Sequence, residues 1–264
     1  ERISQSAIVK KTQIIRTILW IIRRCDKLPD TEKENWSMLR KRVEGTTFAA
    51  QVQRFAGEGL LDDFFDEDGK QKDITADKLN QLAEHAYSNR EDFRSVLPWL
   101  LSSEAINAWT FGRSLGLNHS KTDLWPLLLE AQEKYGPKVT PLLLGGYLFS
   151  ISNISVKCYS KLFEQIRNNH NLRKFVPELT RLSGLSDSSV SRIFDMVKTG
   201  ELTKADLLSI IWSNEIKNLS EPVIMQIISI LLESDSENAV RGALDVLESY
   251  YVRQKVILPS ELTL

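Results

Sequence analysis

An all-α fold is what this sequence predicts, and three observations carry the prediction. Apolar residues recur at i, i+3, i+4 and i+7 along most of the chain. Alternation of period two is nowhere sustained for the length of a strand. The twelve glycines and eight prolines in 264 residues mostly mark the ends of periodic segments, where helices start and stop.

Taken in order, the first helix is expected over Ile8–Ile22, whose most apolar stretch, Ile14–Ile22, is interrupted by Arg16 and closed by Arg23 and Arg24. Thr31 and Glu34 then form a capping box ahead of Trp36, Leu39 and Val43, because hydroxyl and carboxylate satisfy each other's free backbone donors. Thr75 opens a helix with Leu79, Leu82 and Ala83. Asn89 opens the next, with Glu91 and Asp92 at the positive end of its dipole and Pro98 as its stop. Ser102 or Ser103 is expected to cap Ala105, Ile106, Trp109 and Leu115, ending at Gly116. Leu124, Leu127, Leu128, Ala131 and Tyr135 stripe a helix ended by Gly136 and Pro137, and Pro141 begins another. Gly145 and Gly146 lie inside that apolar run, where two missing side chains permit close helix packing or a kink. Tyr159, Leu162, Phe163 and Ile166 mark the next stripe. The last helix is read from Ala239, Val240, Ala243, Leu244, Leu247 and Tyr251.

Helix starts at Ser186, Thr203, Ser220 and about Ser236 follow one another every 16 or 17 residues through very short loops, which force antiparallel neighbours. Met225 and Ile230 add apolar surface off the main stripe, as a helix held between two neighbours requires. The expected architecture is an irregular HEAT-like antiparallel helical repeat array, with a compact helical bundle as the fallback. The acidic, glycine-containing run from Leu60 to Asp73 reads as a loop, so residues 1–72 are expected to form an N-terminal helical subdomain and residues 73–264 the array.

The balance of 42% apolar and 26% charged residues excludes a disordered or fibrous chain. A formal net charge of -1 argues against affinity gained by wrapping phosphates. Residues 1–60 hold twelve Lys and Arg against seven Asp and Glu, and residues 61–98 hold five against ten, a pattern that suits two neighbours folding on each other or a basic surface for an anionic partner. No stretch is long enough to cross a bilayer, and Cys25 and Cys158 share no motif, so no membrane partner and a reducing, cytoplasmic setting are expected. A first residue of Glu1 suggests a piece of a larger protein.

Candidate chemistry is sparse. His85, His119 and His170 are not paired with a second ligand at helical spacing, and neither a nucleophile elbow nor a phosphate loop occurs. The acidic cluster of Asp62, Asp63, Asp66, Glu67 and Asp68 misses the calcium-loop pattern. No catalytic residue, metal or cofactor is expected, and any catalysis would lie outside this chain. Its work is expected to be binding, with Trp36, Trp125 and Tyr250 as candidate aromatic anchors.

One local motif carries a different implication. From Leu179 to Phe194, Gly184 in a turn, Leu185 in the angle, Ser186 as a cap, and Val190 with Ile193 as an apolar pair resemble a repressor-type helix-turn-helix. The resemblance implies that Asp187, Ser188, Ser189 and Arg192 face the major groove, and makes Ser188, Ser189 and Arg192 the candidate DNA-binding residues. Thr180 stands where the family has a small alanine, and Asp187 brings a negative charge. The same residues also serve any stack of short-looped helices.

A wider set of segments, Leu97-Pro98-Trp99-Leu100, Phe111-Gly112, Leu144-Gly145-Gly146-Tyr147-Leu148 and Pro177-Glu178-Leu179-Thr180, resembles the helical C-terminal region of large bacterial multidomain NTPases, many of which act in sensing or anti-phage defence. That resemblance implies a sensor or scaffold arm whose partner is a protein or another domain of the parent chain. The alternative is a DNA-binding regulator working through residues at about 178–197.

Overall fold

The computed structural model describes residues 14, 17–18, 21, 29–57, 74–118, 124–135, 139–211 and 214–252, and among them every regular element is a helix and none is a strand. The acidic loop, and with it the boundary expected near residue 72, lies outside the described residues, as do His119 and Cys25. The chain divides into two compact units, residues 1–147 and 148–264.

The first unit contains α1 (Asp30–Glu44), α2 (Phe48–Ala56), α3 (Ile74–Ser88), α4 (Arg90–Leu100), α5 (Ala108–Leu117) and α6 (Trp125–Tyr135), and the division falls inside α7 (Leu142–Ile154). α1 begins one residue before the expected Thr31 cap, because the carbonyl of Pro29 accepts the backbone N–H groups of Glu32 and Lys33. Asn89 does cap α4, its side chain accepting the N–H of Asp92 at 3.2 Å. Pro98 sits inside α4 and does not stop it; the helix runs on to Leu100, and Leu101 still donates to the carbonyl of Leu97. The helix expected from Ser102 or Ser103 starts only after Asn107, since residues 101–107 form turns that bury Ala105 and leave Ile106 exposed.

Packing in this unit joins alternate helices from α2 onward, α2 to α4, α3 to α5 and α4 to α6, besides the consecutive pairs α1 with α2, α2 with α3 and α3 with α4 and a contact of α2 with α5. Val52, Leu79, Phe93, Leu97, Phe111 and Leu115 supply much of the core. α5 and α7 cross at their backbones. A Cβ on Gly112 would stand 2.1 Å from the Leu143 carbonyl oxygen, and one on Gly146 1.9 Å from that of Trp109, so bare positions on both helices allow the contact.

The second unit contains α8 (Val156–Asn168), a 3-10 turn (Arg173–Phe175), α9 (Val176–Ser183), α10 (Asp187–Lys198), a 3-10 turn (Lys204–Leu207) continuing into the single-turn α11 (Leu208–Ile211), a 3-10 turn (Asn214–Asn218), α12 (Glu221–Leu232), α13 (Glu237–Leu247) and a π-helical turn (Glu248–Val252). Ser186, Thr203, Ser220 and Ser236 are the N-caps of the elements that follow them, at the expected spacing. The element after Thr203 is shorter than the four-turn helix anticipated. Here too α9 packs on α11, α10 on α12 and α11 on α13, with α12 and α13 in close antiparallel contact.

Candidate interaction surface

The helix-turn-helix-like segment forms as two helices. α9 and α10 meet at Gly184, whose φ of +106° lies in the left-handed region that a side chain resists. A reciprocal capping box then starts α10: Ser186 Oγ accepts the Ser189 N–H at 3.3 Å, and Ser189 Oγ accepts the Ser186 N–H at 2.9 Å. Val190, Ile193, Phe194 and Met196 are buried beneath it.

The residues expected at base edges separate. Ser189 is turned inward, 5% exposed and committed to the cap, while Ser188 is exposed and hydrogen-bonds to Ser186. Arg192 is half-buried, its guanidinium 5.3 Å from the centre of the Phe163 ring, a cation–π placement. Asp187 Oδ1 accepts the backbone N–H of Ser220 at 3.0 Å, and this bond holds its carboxyl below the usual carboxylate range. The Leu185 N–H donates to Glu215 at 3.0 Å. The segment 214–220 is thus tied to the turn and to the start of α10, the end of the second helix that enters the groove in the repressor family. The face of α10 that remains outward carries Asp187, Ser188, Ser191, Asp195 and Lys198, two acids against one base.

Other titratable groups hold the helices together. His85 Nε2 lies 2.8 Å from Asp92 Oδ2, and the Phe48 ring stacks on the imidazole at a centroid distance of 4.6 Å. Asn89 donates to the same carboxylate at 3.0 Å, so the pair links the last turn of α3 to the first turn of α4. Glu201 accepts from the Thr199 hydroxyl and from Arg167, with Arg173 3.7 Å away on its other oxygen, and its carboxyl is held low by those contacts, Thr199 first. Burial pushes the Tyr251 phenol up to about 12, with Glu221 beside it adding to the shift. Among the described residues no group of three or more His, Cys, Asp or Glu is placed to hold a metal ion. An open cleft of about 50 Å³ is lined by Arg94, Leu97, Leu127, Glu130, Lys134 and Tyr135, room for a few waters.

Two expected aromatic anchors are internal. Trp125 is buried and stacks on Tyr147, and Tyr250 is buried against Tyr251, while Trp36 is half-buried. The stripe read for the final helix also splits. Ala239, Gly242, Ala243 and Val246 face inward, and a Cβ on Gly242 would stand 2.5 Å from Leu208 Cδ2. Val240 and Leu244, one turn apart, face outward at 36% and 57% exposure, with Leu232 at the end of α12 exposed as well. The inner face of α13 is thus mostly small residues with one valine, Val246, and Leu244 is its most exposed apolar side chain. Ile154 and Val156 are likewise exposed at the α7–α8 corner.

No protein-family model, characterised protein or solved structure matches this chain. Among the described residues no helix is long and apolar enough to cross a membrane.

Proposed function

We propose that the chain is a non-enzymatic protein-interaction module, the scaffold or sensor arm of a larger bacterial protein that works in the cytoplasm, with anti-phage defence as one setting. The single observation that carries this reading is the outer face of α13, where Val240 and Leu244 are presented to solvent over a close-packed inner face. Packing of alternate helices on each other, seen within both units, supports a HEAT-like stack with broad lateral faces. The groups best suited to chemistry have structural employment: His85 with Asp92, Asp187 with Ser220, and Glu201 with Thr199 and two arginines. The test is binding of the chain to the remaining domains of its parent protein, measured by calorimetry with Val240→Ser/Leu244→Ser as the partner-face variant. Saturable binding lost in the variant supports the reading; no interaction, or one indifferent to the variant, overturns it.

A second reading, a DNA-binding regulator acting through Ser188, Ser189 and Arg192, draws support from the Gly184 turn and the outward Ser188. The inward Ser189 and the tie from Asp187 to Ser220 count against it. It requires salt-sensitive duplex binding that Arg192→Ala abolishes, and a flat titration at low salt would end it.

A further inference from the structure

Charge is unevenly distributed within the second unit. Residues 156–204 carry nine Lys and Arg against five Asp and Glu, whereas residues 205–252 carry two against eight. The exposed apolar pair of α13 lies in the acidic part. Along one ridge of the helix Glu237 precedes Val240 by three residues and Glu248 follows Leu244 by four, both exposed, so the pair is bracketed by carboxylates. Glu233 and Asp235 occupy the loop that joins Leu232 to α13, and both are exposed. Among the described residues, cations near this face are Arg241 on α13, Lys217 in the 214–218 turn that packs on residues 248–252, and Lys204, which is already bound to Glu233 at 3.0 Å.

We propose that this face receives a basic amphipathic helix whose apolar residues, one turn apart, seat on Val240 and Leu244 while its Lys and Arg meet Glu237 and Asp235. An apolar stripe without charge would bind any oily segment. The acidic surround favours cationic partners through long-range attraction and rejects acidic ones by like-charge repulsion. A second copy of the same face carries the same carboxylates and would be repelled, which argues for an occupant of opposite charge. The proposal rests on the interaction-module reading above and adds the chemistry of the partner.

The experiment is fluorescence anisotropy of the full chain with three labelled peptides: an amphipathic Leu/Lys helix, a Leu/Glu helix of the same apolar pattern, and a Lys/Ser peptide of the same charge without the stripe. The Leu/Lys probe should bind at least about tenfold more tightly than either control and should weaken as salt rises. Leu244→Ser should reduce its affinity about tenfold with an unchanged circular dichroism spectrum, as a 57% exposed side chain allows. Asp235→Lys/Glu237→Lys should shift the preference toward the Leu/Glu probe. Equal binding of the Leu/Lys and Leu/Glu probes, equal binding of the Lys/Ser probe, or indifference to Leu244→Ser would overturn the proposal. So would self-association of the chain that Leu244→Ser dissolves, because the occupant would then be a second copy. If parent-domain binding needs Val240 and Leu244 while the probes show no charge preference, the partner chemistry fails and the module reading stands.

Discussion

α10 and α13 are built on the same helical period, open behind serine caps in the same unit, and solve burial in opposite ways. α10 turns its bulk inward, with Val190, Ile193, Phe194 and Met196 covered and Ser188, Ser191 and Asp195 in water. α13 turns Ala239, Gly242 and Ala243 inward with a single larger residue, Val246, so that its backbone approaches Leu208 and Ile211 closely at Gly242, and leaves Leu244 outside. A helix anchored by large side chains is held by what it inserts. One anchored by Ala and Gly is held by proximity, and the apolar surface it saves remains available to something else.

That difference can be broken from both sides. Phe194→Ala should cost the most, about 3 to 5 kcal/mol in chemical denaturation, because it empties a site in a core that collapses only partly. The matching insult to α13 is addition: Gly242→Leu should cost about 1 to 3 kcal/mol by overpacking against Leu208 and Ile211, whose side chains can yield part of the way. A Phe194→Ala protein as stable as the parent, or a Gly242→Leu protein more stable than it, would erase the contrast. Ser186→Ala should remove about 1 kcal/mol through the lost cap on α10, seen as a lower midpoint with an unchanged denaturant slope.

The smallest effect is one of pH. Asp187 is held below its ordinary value of 3.8 by the Ser220 N–H, so the bond's contribution is complete above that pH and is lost as pH falls through the lower folded-state value. Melting curves of the parent and of Asp187→Asn should therefore converge under acid. Curves that stay parallel would show that the carboxylate does not fasten α10 to the start of α12.

The caps were readable because cap chemistry is local: Asn89, Ser186, Thr203, Ser220 and Ser236 each mark a start within a few residues of sequence. The close approach allowed by Gly146 was readable for the same reason, although its partner Gly112 was not, since only the fold brings the two helices together. Periodicity reports that a stripe exists and is silent on which of two adjacent stripes faces inward. The stripe therefore groups Val240 and Leu244 with Ala239 and Ala243 and does not show that the first two face outward. Aromatic size points to anchors on average, yet Trp125 and Tyr250 fill the interior because each finds a ring neighbour there. The His85–Asp92 contact spans seven residues across a helix break, a separation that no single-helix spacing rule anticipates.

The crossing of α5 and α7 has one more effect. Each helix offers a bare position to the main chain of the other, and the positions beside them carry Arg113 and Tyr147. Sliding α5 by one residue in either direction would bring Phe111 or Arg113 to a place with no room for a methyl group, and sliding α7 toward Tyr147 would do the same, whereas Gly145 leaves the opposite shift of α7 open. Gly112 therefore fixes the register of α5 more strictly than the paired glycines fix that of α7.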